Sequence, residues 1–133
     1  MSRALPPLAE AWDAAVARYA SMNPCHELSW FNVDLLVALR PRWGTQLRVD
    51  TGMFRLLFTR PHEHHYDEST AESVQVERED DDRVRMALIR RVPRRALDQP
   101  GGSLVVTGDF TRPENALPAV EALLSQIAEP VDR

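Results

Sequence analysis

From Leu47 to Leu88 apolar residues recur at every second position, in short runs broken by turn residues. Leu47 and Val49 alternate with Gln46, Arg48 and Asp50. Phe54, Leu56 and Phe58 alternate with Arg55, Leu57 and Thr59, and Val84, Met86 and Leu88 with Arg83, Arg85 and Ala87. A period of two sends successive side chains to opposite faces of a strand, so each run reads as a half-buried strand. Val74 and Val76 begin another such run. Asp50-Thr51-Gly52 reads as a tight turn or a bulge, and the polar break Glu79-Asp80-Asp81-Asp82 as a hairpin tip. Links this short pair strands antiparallel, because parallel neighbours need a crossover of a dozen or more residues.

Two further segments extend the sheet. Residues 33–39 are nearly continuous in leucine and valine, interrupted by Asp34, and read as a strand buried on both faces. Pro41-Arg42-Trp43-Gly44 then reads as a turn. Residues 104–107 form a last strand, closed by Gly108-Asp109.

Both ends of the chain change period. Leu8, Trp12, Val16 and Tyr19, with Ala15 beside them, share one helical face; Pro6-Pro7 suits a helix start and Asn23-Pro24 a stop. Leu117, Val120, Leu124 and Ile127 form the face of a second helix, with Asn115 as N-cap, Pro118 in the first turn and Pro130 as its limit. The expected fold is α+β: a curved antiparallel sheet of about six strands, flanked by an N-terminal and a C-terminal helix on one face. The 133 residues fit a single domain over 1–133. Its core should contain Trp12, Val16, Leu35, Val37, Leu56, Phe58, Met86, Leu88, Val120 and Leu124.

Composition narrows the chemistry. All 16 basic residues are arginine, as expected of a GC-rich bacterial genome, so lysine Schiff bases and a P-loop lysine are excluded. The net charge of −4 argues against nonspecific nucleic-acid binding, which depends on neutralising phosphates. The charge is segregated: residues 67–82 hold eight acids and one arginine, residues 83–95 six arginines and no acid. No apolar run approaches the ~20 residues of a membrane helix. A lone cysteine, Cys25, and an N-terminus without an apolar h-region fit a reducing compartment, so a cytoplasmic location is expected.

The densest cluster of chemical side chains is Pro61-His62-Glu63-His64-His65-Tyr66-Asp67-Glu68. Histidine and carboxylate are ligands for zinc and similar ions. Extended backbone puts His62 and His64 on one side and His65 and Asp67 on the other, and a third ligand must then come from elsewhere, such as His26. The spacing differs from the His-x-x-x-His of a helical zinc site. The expectation is therefore no bound metal and no cofactor, with His62, His64 and His65 as the weak candidate ligands. The acids at 77–82 lack the ligand spacing and central glycine of a calcium loop.

Arg48, Arg55, Arg83 and Arg85 all lie opposite an apolar set in their strands and could line one exposed sheet face, where guanidinium recognises carboxylate or phosphate in bidentate fashion. The plainer expectation is cross-strand pairing with nearby acids such as Asp80–Asp82. Trp43, in its turn between Arg42 and Gly44, is the candidate exposed anchor, while Trp30 and Phe31 read as core. Cys25 beside His26 reads as structural, since catalytic Cys/His pairs are usually distant in sequence.

Without a serine elbow, a phosphate loop or any other catalytic motif, the chain reads as a noncatalytic protein-interaction module. Its helix–sheet–helix order and acidic charge resemble those of small bacterial secretion chaperones and immunity proteins, at the level of architecture alone. The expected partner is another protein or a second copy, met through a sheet edge or helix face by Trp43, Arg48, Arg55, Arg83 and Arg85. The alternative is a small enzyme or ligand-binding domain with a pocket between sheet and helices and residues 62–65 at its rim. Nucleic acid ranks last, and a membrane is not expected.

Overall fold

A computed structural model describes residues 5–21, 27–63, 72–79, 82–92 and 102–128. Helix α1 spans Leu8–Ala20 and α2 Glu27–Trp43; five strands follow, β1 Arg48–Gly52, β2 Arg55–Thr59, β3 Glu72–Arg78, β4 Val84–Val92 and β5 Gly102–Thr111; a 3-10 turn over Pro113–Asn115 leads into α3, Ala116–Ile127. The strands form one antiparallel sheet in chain order, β1-β2-β3-β4-β5. The α+β class, the antiparallel pairing and the two terminal helices agree with the sequence pattern. The strand count does not: the described residues form five strands, because residues 33–39 are helical.

The buried positions explain the difference. Asn32, Leu35, Leu36, Leu39 and Trp43 are buried, at spacings of three and four that only a helix puts on one face. Val37 is 59 % exposed and Val33 only partly buried. These two valines fill the gaps in the helical stripe and give the segment the look of a buried strand. Pro41 lies within the last turn of α2, where its missing N–H removes one helical hydrogen bond. Trp43 two residues later is 2 % exposed, so packing carries the helix through the proline. The predicted turn at 41–44 is thus a helix end, stopped at Gly44. The Gly44 N–H reaches the Arg40 carbonyl at 2.8 Å, and a Cβ at this position would lie 2.8 Å from that same oxygen.

The three helices cover one face of the sheet. Trp12, Ala15 and Tyr19 of α1, Leu35, Leu36, Leu39 and Trp43 of α2, and Val120, Leu123, Leu124 and Ile127 of α3 pack on Val49, Leu56, Phe58, Val74, Val76, Val84, Met86 and Leu88. The expected core is therefore present except for Val16, which is partly buried, and Val37, which is exposed. Two polar bonds set α1 against the β1–β2 hairpin. The Trp12 indole donates to the Leu47 carbonyl and the Tyr19 hydroxyl to the Arg55 carbonyl, each at 3.0 Å. The hairpin turns at Met53-Phe54, with Met53 in the left-handed region at φ 54°, so Asp50, Thr51 and Gly52 are strand residues rather than the turn.

Candidate functional site

The helical layer stops short of β5. From Leu104 to Phe110 every residue is exposed, on both faces of the strand. Leu104 is 54 % exposed, Val105 58 %, Val106 42 % and Phe110 44 %. Among the described residues β5 is also an edge of the sheet, paired with β4 alone, and at ten residues it is twice as long as β1 at the opposite edge. Its pairing with β4 shifts register between Leu88 and Ile89, which leaves Val106 as an extra residue, the mark of a bulge. The strand also runs beyond its expected close at Gly108-Asp109, so Phe110 is a strand residue opposite Arg85.

The face turned away from the helices carries the charges. Register aligns Arg55, Glu77, Arg85 and Phe110 in one row across β2, β3, β4 and β5. Arg55 Nε lies 3.4 Å from Glu77, and Arg85 pairs with Glu79 at 2.5 Å. At the end of the row the Phe110 ring takes two guanidinium groups, Arg83 at 4.0 Å and Arg85 at 5.6 Å from its centroid. Guanidinium over an aromatic face is attractive because the ring's π-cloud is negative. Arg55, Gln75, Glu77, Arg85 and Ala87 line an open depression of about 60 Å³. That is far below the ~300–1,000 Å³ of small-molecule sites. The surface is a shallow charged shelf ending in an aromatic ring and an apolar edge.

Of the five residues expected at a partner surface, the structure brings Arg55, Arg83 and Arg85 together and places two elsewhere. Trp43 is not an exposed turn residue. It ends α2 inside the core, its indole N–H donates to Glu121 of α3 at 3.2 Å, and Arg42 stacks over its ring at 4.6 Å. Arg48 is 5 % exposed, and its guanidinium donates to the Pro61 carbonyl at 3.1 and 2.8 Å and to the Pro6 carbonyl at 2.6 Å. It is a clasp between β1, the segment before α1 and the segment after β2. The plainer expectation for the arginines, pairing with acids across strands, describes Arg55 and Arg85, although their partners are Glu77 and Glu79. Asp80 and Asp81 lie outside the described residues; Asp82 sits 4.0 Å from Arg112.

His62 is exposed in the turn after β2, while His64, His65, Cys25 and His26 lie outside the described residues. Among the described residues no group of three His, Cys, Asp or Glu side chains is placed to hold a metal ion. None of the described helices is long and apolar enough to cross a membrane. Phe31 is partly buried with Arg78 over its ring at 5.5 Å, and the Trp30 side chain lies outside the described residues.

The surface residues that sequence reasoning passes over are Leu104, Val105, Val106 and Phe110. One signal for the first three is present. Three consecutive apolar residues in a strand must point to both faces, so a last strand of this composition is covered on both sides or exposes part of the run. No protein-family model, curated protein or solved structure matches this chain, so the reading of the surface rests on its own geometry.

Proposed function

We propose that this protein is a noncatalytic interaction module of the adaptor, chaperone or immunity type, acting in the bacterial cytoplasm, and that it docks another polypeptide along β5. The observation that carries the reading is the exposure of Leu104, Val105, Val106 and Phe110 on a long, open edge strand. An edge strand offers unpaired backbone N–H and C=O groups, and proteins usually blunt such edges with charge, proline or covering elements. β5 carries a single charged residue, Asp109, and no proline. Its local defences are the bulge and Asp109, whose carboxylate accepts the Phe110 N–H at 2.7 Å. Pairing of an extended segment with a bare edge is a recurring mode of peptide recognition, with backbone bonds for affinity and side-chain pockets for specificity. Beside the edge, Phe110 between Arg83 and Arg85 supplies an aromatic anchor flanked by cations, the residue types enriched where binding energy concentrates.

Site-specific photo-crosslinking in the native host tests the proposal. A crosslinker at position 105 should give discrete adducts of higher mass, whereas one at Ala122, on the exposed side of α3, should not. Equal labelling at both positions, or none at 105 while a small molecule co-purifies, would replace this reading with the ligand-binding alternative.

A further inference from the structure

Resting on the reading of β5 as a docking edge, we infer that its occupant is the β5 of a second copy, paired antiparallel about a twofold axis to give a continuous ten-stranded sheet. The argument comes from register. In an antiparallel pair, directly opposed residues point to the same face. The pairing of β4 with β5 fixes those faces. Leu104, Thr107, Asp109 and Thr111 lie opposite Arg90, Leu88, Met86 and Val84, on the helix-covered side; Val105, Gly108 and Phe110 lie opposite Ile89, Ala87 and Arg85, on the other.

Pairing β5 with itself over its full length sets Gly102 against Thr111, Leu104 against Asp109, and Val105 against Gly108. Every one of these pairs outside the bulge joins side chains of the same face. A shift of one residue in either direction sets Leu104 against Gly108 or Phe110, which point to the opposite side. The register that uses the whole strand is therefore one in which the faces agree, and Val106, the extra residue of the bulge, falls at the twofold opposite Thr107.

Shape and charge fit the same register. Gly108 has no side chain, and a Cβ there would lie 3.4 Å from Val105 Cγ1 of its own strand. Its own Val105 methyl lines one side of that position, and Val105 of the second copy would pack over the glycine beside it. Asp109 is the only charged residue of β5, and one of its oxygens accepts the Phe110 N–H at 2.7 Å. Facing Leu104 of the other copy, it stands two strands from that copy's Arg90, about 10 Å between Cα atoms and within reach of the two side chains. Arg90 is half-exposed and 3.6 Å from Glu72, so it would sit between two carboxylates. An antiparallel pair of this length, interrupted by the bulge at its centre, contributes roughly eight backbone hydrogen bonds, within the range a typical stable interface carries. The charged shelf at Arg55, Glu77 and Arg85 lies on the sheet face, outside the edge contact, and argues against face-to-face stacking of two sheets.

Sedimentation of the full chain over a range of concentrations, with disulfide trapping, tests the inference. In a Cys25→Ser background, Leu104→Cys and Asp109→Cys proteins are made separately and oxidised alone or mixed. The two positions are about 17 Å apart along one strand, too far for a bond within one chain, while opposed pairs lie about 4.5–5.5 Å apart. Mixed samples should cross-link at least several-fold more than either protein alone. Val105→Asp should raise the dimer Kd by roughly tenfold or more, about 1.4 kcal/mol, with an unchanged circular dichroism spectrum and, at concentrations where both chains are monomeric, an unchanged Tm. A chain that stays monomeric at all concentrations, or cross-links indifferent to mixing, overturns the twofold pairing. Adducts at position 105 whose mass differs from twice the monomer would then keep β5 as a docking edge with a foreign partner.

Discussion

Tyr19 shows how one side chain ties local chemistry to stability. Its ring is 1 % exposed and its hydroxyl donates to the Arg55 carbonyl, joining α1 to the strand that opens the charged face. Burial pushes its pKa up from 10 to about 12, since the phenolate cannot be hydrated there. The group holds its proton more tightly folded than unfolded, so its contribution to stability is complete below about pH 10 and declines as the pH rises toward 12. Tyr19→Phe should therefore lose about 1 kcal/mol at neutral pH, the value of one hydrogen bond, and lose less than the native chain between pH 10 and 12. Urea unfolding across that range measures both. An alkaline decline equally steep in Tyr19→Phe would place the titrating group elsewhere. At this scale the sequence is most readable where a residue's neighbours are strand neighbours. Arg55, Arg83 and Arg85 project from one face because a period of two dictates it. Arg48 follows the same period, yet carbonyls from Pro6 and Pro61, distant in sequence, close over it, and alternation contains no information about such cover.

At the scale of elements, β3 and β4 are legible because one face of each packs on helices and the other carries charge, the condition under which alternation survives; β2 is legible from Leu56 and Phe58 on the helix side, although Leu57 and Thr59 on its other side are buried too. α2 is not, and the cause is its composition. Its buried stripe, Asn32, Leu35, Leu36, Leu39 and Trp43, is masked by Val33 and Val37, and Pro41 adds a false turn. That one misreading adds the sixth strand and also moves Trp43 from core to surface. Phe110 is lost through the opposite error, a strand ended at Asp109 because Gly108-Asp109 has the composition of a turn. The position of Trp43 makes a prediction contrary to the surface reading. Its indole fills the junction of α2 and α3 and donates to Glu121, which also accepts from Arg42 at 3.2 Å. Trp43→Ala should cost about 3–5 kcal/mol by cavity formation. Trp43→Phe keeps most of the volume and should lose only about 1 kcal/mol with the hydrogen bond. Denaturant midpoints of the two variants provide the check, and a Trp43→Ala change under about 0.5 kcal/mol, the range of surface substitutions, would return the residue to the surface.

Over the whole molecule, order is distributed unevenly across the sheet. α1 packs on β1, and α3 on β3 and β4, so the inner strands are fixed by backbone pairing and by the side chains of one shared core. β5 has the pairing with β4 and little else: residues 104–110 are exposed and no described residue of the strand belongs to the core. Sub-global opening follows such differences, since a unit that buries few apolar contacts separates at a free energy below that of global unfolding. In the dilute monomer β5 should therefore peel from β4 while β2 and β3 stay closed. Hydrogen exchange at low protein concentration should show amides of residues 103–110 exchanging well ahead of those of residues 56–58 and 74–76. The latter should open only with the whole chain, and mild denaturant should accelerate them steeply while leaving β5 nearly unchanged. Equal protection in β5 and β2 would mean that β5 is held by more than its pairing with β4. Protection that grows in β5 alone as concentration rises would locate association at this edge, because only groups on β5 gain partners there. The unevenness has a functional sense: the three helices keep the inner sheet closed, and the strand left outside their cover is the one free to exchange solvent for a partner.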